Sequence, residues 1–254
     1  MLRNAFAYIT RKWPKSLLLF AIILLMGTLS LIGLSMKGAT QQASSESLGS
    51  ITNSFSMQIN RRTNPGTPRG AGNLRGEDIE KISQVEGITS SIRRINAIAD
   101  ILDHEIIETE ETLQNQSPER AKYFKNTLMV TGVNDSSKED KFVSGAYKLV
   151  QGKHLTDKDK NQILMHEDLA KKNGLKVGDK VRLKSNLYDA DNEKGANETV
   201  EVTIKGLFSG KNQAPLTYAQ ELYEDTLISD LDTAAKLYGN TVQTATYEDA
   251  TFFA

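Results

Sequence analysis

LAKKNGLKVGDKV, residues Leu169–Val181, reads as three pieces in one short run. Asp168–Asn173 sets Leu169 and Ala170 among lysines, and Gly174 follows, the residue type that closes a helix in the left-handed conformation. Leu175–Lys180 is a tight turn whose chemistry is supplied by Gly178 and Asp179. From Val181 to Leu187 apolar and polar residues then alternate, as in a half-buried strand. A short helix that turns at once into a strand predicts an α+β domain.

The same mixture extends in both directions. Upstream, Gln162–Met165 and Leu149–Leu155 carry strand-like apolar residues, and Leu128–Val133 is a short buried strand closing on Gly132 and Asn134-Asp135. Ile88–Ile101 places isoleucines at 92, 95, 98 and 101 and is also read as strand. Before it, Ile79, Ile82 and Val85 form one helical face with acids in the first turn and Gly87 after the last. The acidic run Asp103–Glu111 and the basic stretch Glu119–Lys125 are expected as an excursion whose charges are solvated. Downstream, Asp189–Glu198 is a polar hairpin loop leading to the strand Thr199–Leu207. Leu227-Ile228 is a strand, Leu231–Tyr238 a helix closed by Gly239, and Thr251-Phe252-Phe253 strand again. Phe55–Ile59 is expected as a strand, and Asn64–Gly72, with two prolines and three glycines, as a loop. Arg61, Arg62, Arg69 and Arg75 cluster around that loop and are read as solvated rather than as an anionic-lipid contact.

Ser16–Met36 is of another kind: 21 residues without a charge, dense in Leu and Ile. As a helix it would be roughly 31 Å long, the thickness of a hydrocarbon core. Arg3, Arg11, Lys12 and Lys15 precede it with no acid, whereas Lys37 and then Glu46 follow. The positive-inside rule therefore places residues 1–15 in the cytoplasm and the rest outside, with Trp13 at the interface. A cleaved signal peptide has a shorter apolar region and a small-x-small site, and Gly38-Ala39-Thr40 is a poor one. Leu2, Phe6, Ile9 and Trp13 recur at helical spacing, so residues 1–15 are expected as an amphipathic helix against membrane lipid. Gly27, Thr28, Ser30, Gly33 and Ser35 would let a partner helix approach the span closely. Leu48, Ile51, Phe55 and Ile59 continue a helical stripe, which makes 37–60 a stalk.

Once the four basic residues of 1–15 are set aside, 27 basic residues face 32 acidic ones. That excludes nucleic acid as a partner, because phosphates select strongly basic surfaces. With no cysteine there is neither a disulfide framework nor a zinc site of the usual kind. The pattern fits a Gram-positive cell surface, with a core large enough to fold without a disulfide. His104, His154 and His166 are the only histidines, and no G-x-S-x-G signature accompanies them. Asp157-x-Asp159-x-Asn161 starts like a calcium loop, but Gln162 stands where Gly is required and Asp168 where a bidentate Glu belongs. Lys158 and Lys160 would repel the ion further, so it reads as a turn. No phosphate-binding G-x-x-x-x-G-K-[ST] loop is present. These residues predict no catalytic site, no metal site and no cofactor.

Several strings in order carry a resemblance. They are Leu74-x-x-Glu77-Asp78-Ile79-x-x-Ile82-x-x-Val85-x-Gly87-Ile88, then Val130-x-Gly132-Val133, then Leu149-Val150-x-Gly152-x-x-Leu155, and last Leu169–Val181. With the basic N-terminus and first span, they resemble the permease subunits of MacB/FtsX-type ABC transporters and their extracytoplasmic MacB-like core domain. The streptococcal Vex-type permeases look closest. The resemblance implies a cell-membrane protein with residues 1–15 as a cytoplasmic amphipathic helix, 16–36 as the transmembrane helix, 37–60 as the stalk and 61–254 as the MacB-like domain. Within that domain a smaller lobe would be inserted at about 134–205. It further implies a non-enzymatic permease that works with a cytoplasmic ABC ATPase subunit and a second permease subunit, and exports peptide, toxin or antimicrobial-type substrates. Family members have three more spans after the domain, so the chain is expected to be a fragment of the permease. The alternative reading is a single-pass, membrane-anchored extracellular binding or sensor module.

Overall fold

The computed structural model describes Trp13, Pro14, Leu17, Ile22, Leu24, residues 26–28, 54–58, 74–211 and 222–254. The chain divides into two compact units, Met1–Ser54 and Phe55–Ala254. In the first, the described residues from Trp13 to Thr28 are helical, and Trp13, Leu17, Ile22, Leu24 and Met26 are exposed. Among the described residues no helix is long and apolar enough to cross a membrane. Most of the expected span 16–36, of the amphipathic helix 1–15 and of the stalk 37–60 lies outside the described residues, as does the loop Asn64–Gly72.

In the second unit the elements run β1 (Ser54–Gln58), β2 (Leu74–Arg75), α1 (Gly76–Ser83), β3 (Ser90–Leu102), α2 (Glu110–Gln114), α3 (Pro118–Tyr123), β4 (Thr127–Val133), a 3-10 turn (Ser136–Lys138), α4 (Asp140–Val143), β5 (Lys148–Gly152), β6 (Gln162–His166), α5 (Glu167–Lys172), β7 (Lys180–Ser185), β8 (Thr199–Ser209), β9 (Thr226–Asp230), α6 (Leu231–Lys236), β10 (Thr246–Tyr247) and β11 (Asp249–Phe253). The helix–turn–strand unit of Leu169–Val181 is present as α5, the turn and the start of β7. The other strands and helices expected from Glu77 onward are present too, displaced by a few residues at their ends.

Among the described residues nine strands pair in one sheet, and six of them close on themselves. β3 pairs antiparallel with β4, β4 parallel with β9, β9 antiparallel with β6, and β6 parallel with β8. β7 then pairs antiparallel with both β8 and β3 and completes the ring. Closure removes the free edges that an open sheet of these strands would expose. β11 lies along the first part of β3, from Asp249↔Arg94 to Phe253↔Ser90, just before β7 takes over at Ala99↔Ser185. β1 follows β11 outward, so the strand that enters the unit and the last strand lie side by side.

Alternation along β3 decides its inner face. Ile95, Ala97, Ala99 and Ile101 are buried and join Leu128, Val130, Ile163, Met165, Val181, Leu183, Val202 and Ile204 in one core. Full burial of each large member contributes about 1.5–3 kcal/mol. On the other side, Val133, Leu164, Phe208 and Ile228 form a second cluster, covered by Tyr147 and Leu155. The stretch 134–205, expected as an inserted lobe, supplies that cover and also contributes β5, β6, β7 and the first part of β8 to the sheet.

Two strand–helix junctions repeat one design. β6 runs into α5 through His166, whose Nδ1 accepts from Asp168 N at 3.1 Å; β9 runs into α6 through Asp230, whose Oδ1 accepts from Thr233 N at 3.0 Å. Each side chain satisfies an otherwise unpaired helix donor. Asp230 Oδ2 also accepts from Gln162 N at 2.9 Å and so ties the second junction to the start of β6. The helix α6 packs closely on β4, because a Cβ on Gly132 would stand 2.5 Å from Ala234 Cβ. In the excursion 103–126 the charged side chains of Asp103, Glu105, Glu108, Glu110, Glu119, Lys122 and Lys125 are exposed, as expected, while Ile106 and Thr112 between them are buried.

Candidate functional site

Arg94 interrupts the apolar run of β3, and its register partner on β11 is Asp249. Its Nε donates to Asp249 Oδ2 at 2.9 Å, and a second guanidinium nitrogen reaches the same oxygen. The remaining nitrogen donates to Asp140 Oδ2 at 3.1 Å and lies 3.8 Å from Glu139 Oε1. One guanidinium thus joins β3, β11 and the start of α4. The planar fork of arginine suits this geometry in a way a lysine would not.

Glu139 is the buried member, with a side chain 2% exposed. It caps α4, accepting from Lys141 N at 2.8 Å and Phe142 N at 3.3 Å. Burial raises its pKa, and this outweighs the pull of those N–H groups, Lys141 and Arg94. Burial likewise lowers the pKa of Lys141, whose Nζ donates to Tyr147 Oη at 3.1 Å and lies over the Tyr223 ring at 4.7 Å. Beside Arg94, Ser56 and Gln58 of β1, Thr251 and Phe253 of β11, and Val143 line an open groove of about 650 Å³. The groove sits where the entering and final strands meet the barrel. That arrangement ties β1 and β11 to the core through strand pairing and the Arg94 junction.

His154 and His166 have structural partners. Ser136 Oγ lies 2.9 Å from His154 Nδ1 and accepts from Leu155 N at 2.9 Å, and Ser136 is fully buried. Burial lowers the His154 pKa against the opposite pull of Asp135. His166 caps α5 and its Nε2 lies 2.9 Å from Gly210 O. In the Asp157–Asn161 stretch, Asp159 Oδ2 binds Lys205 Nζ at 2.5 Å and accepts from Thr156 N at 2.7 Å. Its hydrogen bonds lower its pKa although burial opposes them. Among the described residues no group of His, Asp and Glu is placed to hold a metal ion. Sequence reasoning missed Arg94, Glu139 and Asp249. The one available signal was the Arg93-Arg94 pair inside an apolar strand; its partner lies 155 residues away.

A family model described as the MacB-like periplasmic core domain matches residues 16–251. Among solved structures, the extracellular domain of the noncanonic ABC-type transporter YknZ from Gram-positive bacteria is similar. It is 13% identical over 79% of this chain and 81% of that one, with a TM-score of 0.41. The periplasmic region of MacB from Actinobacillus actinomycetemcomitans is 18% identical over 80% of this chain and 74% of that one, with a TM-score of 0.45. No curated protein matches the chain.

Proposed function

The chain belongs to the family of the MacB-like periplasmic core domain, and from that premise we propose that it is part of a permease subunit of an ABC-type exporter, anchored by residues 16–36 with the domain outside the cell membrane. A cytoplasmic ABC ATPase subunit supplies the energy, and a second permease subunit, the same or different, completes the membrane complex. The domain uses the resulting motion outside the membrane to export peptide, toxin or antimicrobial-type cargo. Among family members, the streptococcal Vex-type permeases look closest, a resemblance that covers nearly the whole chain.

The observation that carries this reading is the extent of the family match. It begins at residue 16, at the start of the apolar segment, and continues to residue 251. The geometry agrees with a mechanical role. β1 and β11 are neighbours, and Arg94 fastens β11 to β3 of the barrel. Displacement of β1 or β11 would therefore reach the barrel through strand pairing and one charged junction.

Because the chain has no cysteine, introduced thiols report single positions. Intact cells expressing Ala5→Cys or Val150→Cys are treated with a membrane-impermeant maleimide. The proposal expects labelling at 150 and none at 5 until the membrane is opened. Equal labelling of both positions would contradict the anchor and its direction. Co-purification of an ABC ATPase with the full-length protein separates the permease from an anchored sensor module, which would bring none.

A further inference from the structure

The barrel end remote from Arg94 presents a fixed aromatic pair. Tyr123, at the end of α3, and Tyr188, just after β7, have ring centroids 3.8 Å apart. Tyr188 is 59% exposed and its neighbour Leu187 51% exposed. Such rings on a surface are ordinary if they hang on mobile loops. These do not. The buried Asn186 donates from Nδ2 to Tyr123 O at 2.9 Å and to Asp100 Oδ1 at 3.0 Å, while its Oδ1 accepts from Tyr188 N at 2.8 Å. One amide thus holds both tyrosine backbones and anchors them to β3. The buried Asn192 fixes the rest of the loop, donating to Asn186 O at 3.0 Å and Ala196 O at 2.7 Å. On the other side, Ser117 caps α3, accepting from Arg120 N at 3.1 Å, with Pro118 in its first turn.

A rigid, exposed aromatic surface loses little conformational entropy on binding, and tyrosines dominate the energetic centres of protein interfaces. Its rim is charged. Lys122 lies over the Tyr123 ring at 4.9 Å, Lys125 follows, and both are exposed. Residues 118–125 hold three basic residues and one acid, although acids outnumber bases in the chain. The acids near Tyr188 in sequence serve another place: Asp189 accepts from Tyr238 Oη, and Asp191 and Glu193 line a cleft with Tyr238.

We propose that the Tyr123–Tyr188 platform, rimmed by Lys122 and Lys125, is a docking surface for another protein that offers an acidic rim around an apolar centre. A second copy of this chain is a poor occupant. A two-fold contact through the platform would set these lysines against their own copies. Lipid is a poor occupant as well, because Asp100 is about 20 Å along β3 from Arg94, where β1 enters; this last point alone rests on the proposed anchor.

The test places photoreactive benzoylphenylalanine at Tyr188 in the full-length protein in its own membrane, with Val150 on β5 as the control position. Irradiation at 188 is expected to give one heterologous adduct whose cross-linked peptide is acidic. Lys122→Glu combined with Lys125→Glu should cut its yield about tenfold or more, and reversing the acids of the partner peptide should restore it. Both lysines are exposed, and an unchanged melting temperature verifies that the double variant folds. A two-copy adduct, a lipid adduct, no adduct above the Val150 control, or a yield indifferent to charge reversal would each overturn the proposal. Deleting the ATPase should leave the adduct intact, so failure of the transport reading and failure of this one give different results.

Discussion

Arg94 and Asp249 face each other in register across β3 and β11, with Nε donating to Oδ2 at 2.9 Å, although 155 residues separate them in sequence. Their side chains are 25% and 17% exposed, so water screens the pair only in part. The contact fastens the final strand of the unit to the longest strand of its barrel.

Removing the guanidinium leaves Asp249 without its partner and takes away a positive charge 3.8 Å from the buried Glu139. Arg94→Ala should therefore destabilise the fold by about 2–3 kcal/mol, less than a fully buried pair would lose. Arg94→Lys should recover only part of this, because a point charge cannot serve Asp249 and Asp140 together. Urea unfolding of the two variants, and a double-mutant cycle with Asp249→Asn, measures the coupling. Additive effects would show that the pair contributes little.

Asp225 gives a pH signature. It is fully buried, and Oδ1 accepts from Ile107 N at 2.7 Å. Burial pushes its pKa up to about 8, helped by Glu224 and Glu108 and opposed by the Ile107 N–H and Lys172. Between the usual carboxylate range and about pH 8 the folded chain holds a proton that the unfolded chain has released. Stability should thus fall as pH rises through that window, by up to about 1.4 kcal/mol per unit from this group, and level off above it. Asp225→Asn should remove that slope. Identical pH profiles for the variant and the parent would contradict the assignment.

Gly152 ends β5 with a φ of +84°, and a Cβ there would stand 2.2 Å from Lys205 O. Backbone on both sides prevents an easy adjustment. Gly152→Ala should cost about 2 kcal/mol or more and loosen the β5–β8 pairing. Hydrogen exchange of the amides of 148–152 and 206–209 reads this directly.

Ile101 and Leu128 are fully buried on the inner face, whereas Val143 is 70% exposed beside the groove. Leu128→Ala should cost about 2–5 kcal/mol through lost burial and a cavity. Val143→Ala should stay within about 0.5 kcal/mol. A large effect at Val143 would mean that the groove is covered in the native protein.

Most elements of the second unit were legible because their signals are local. Gly174 and Gly239 follow helices, period-two alternation marks β7 and β8, and apolar runs mark β4 and β6. Closure of the barrel was not legible. It depends on β7 pairing with β3 across some 80 residues of sequence, and on a parallel β4–β9 contact between distant segments. The Arg94 junction was hidden for the same reason, since Asp249 lies 155 residues away. Asn186, at the end of an alternating strand, gave no local sign that its amide would hold two tyrosine-bearing segments together.

The central claim is that nucleotide chemistry in the cytoplasm moves this domain outside the membrane. Val150→Cys and one thiol in the extracytoplasmic domain of the second permease subunit, spin-labelled in the full-length complex reconstituted with its ATPase, allow the distance between the two domains to be measured by double electron–electron resonance. The account predicts different distance distributions for the nucleotide-free and ATP-trapped states, with the difference lost when the ATPase cannot bind nucleotide. A single distribution, unchanged across those states in an ATPase-competent complex, would contradict it.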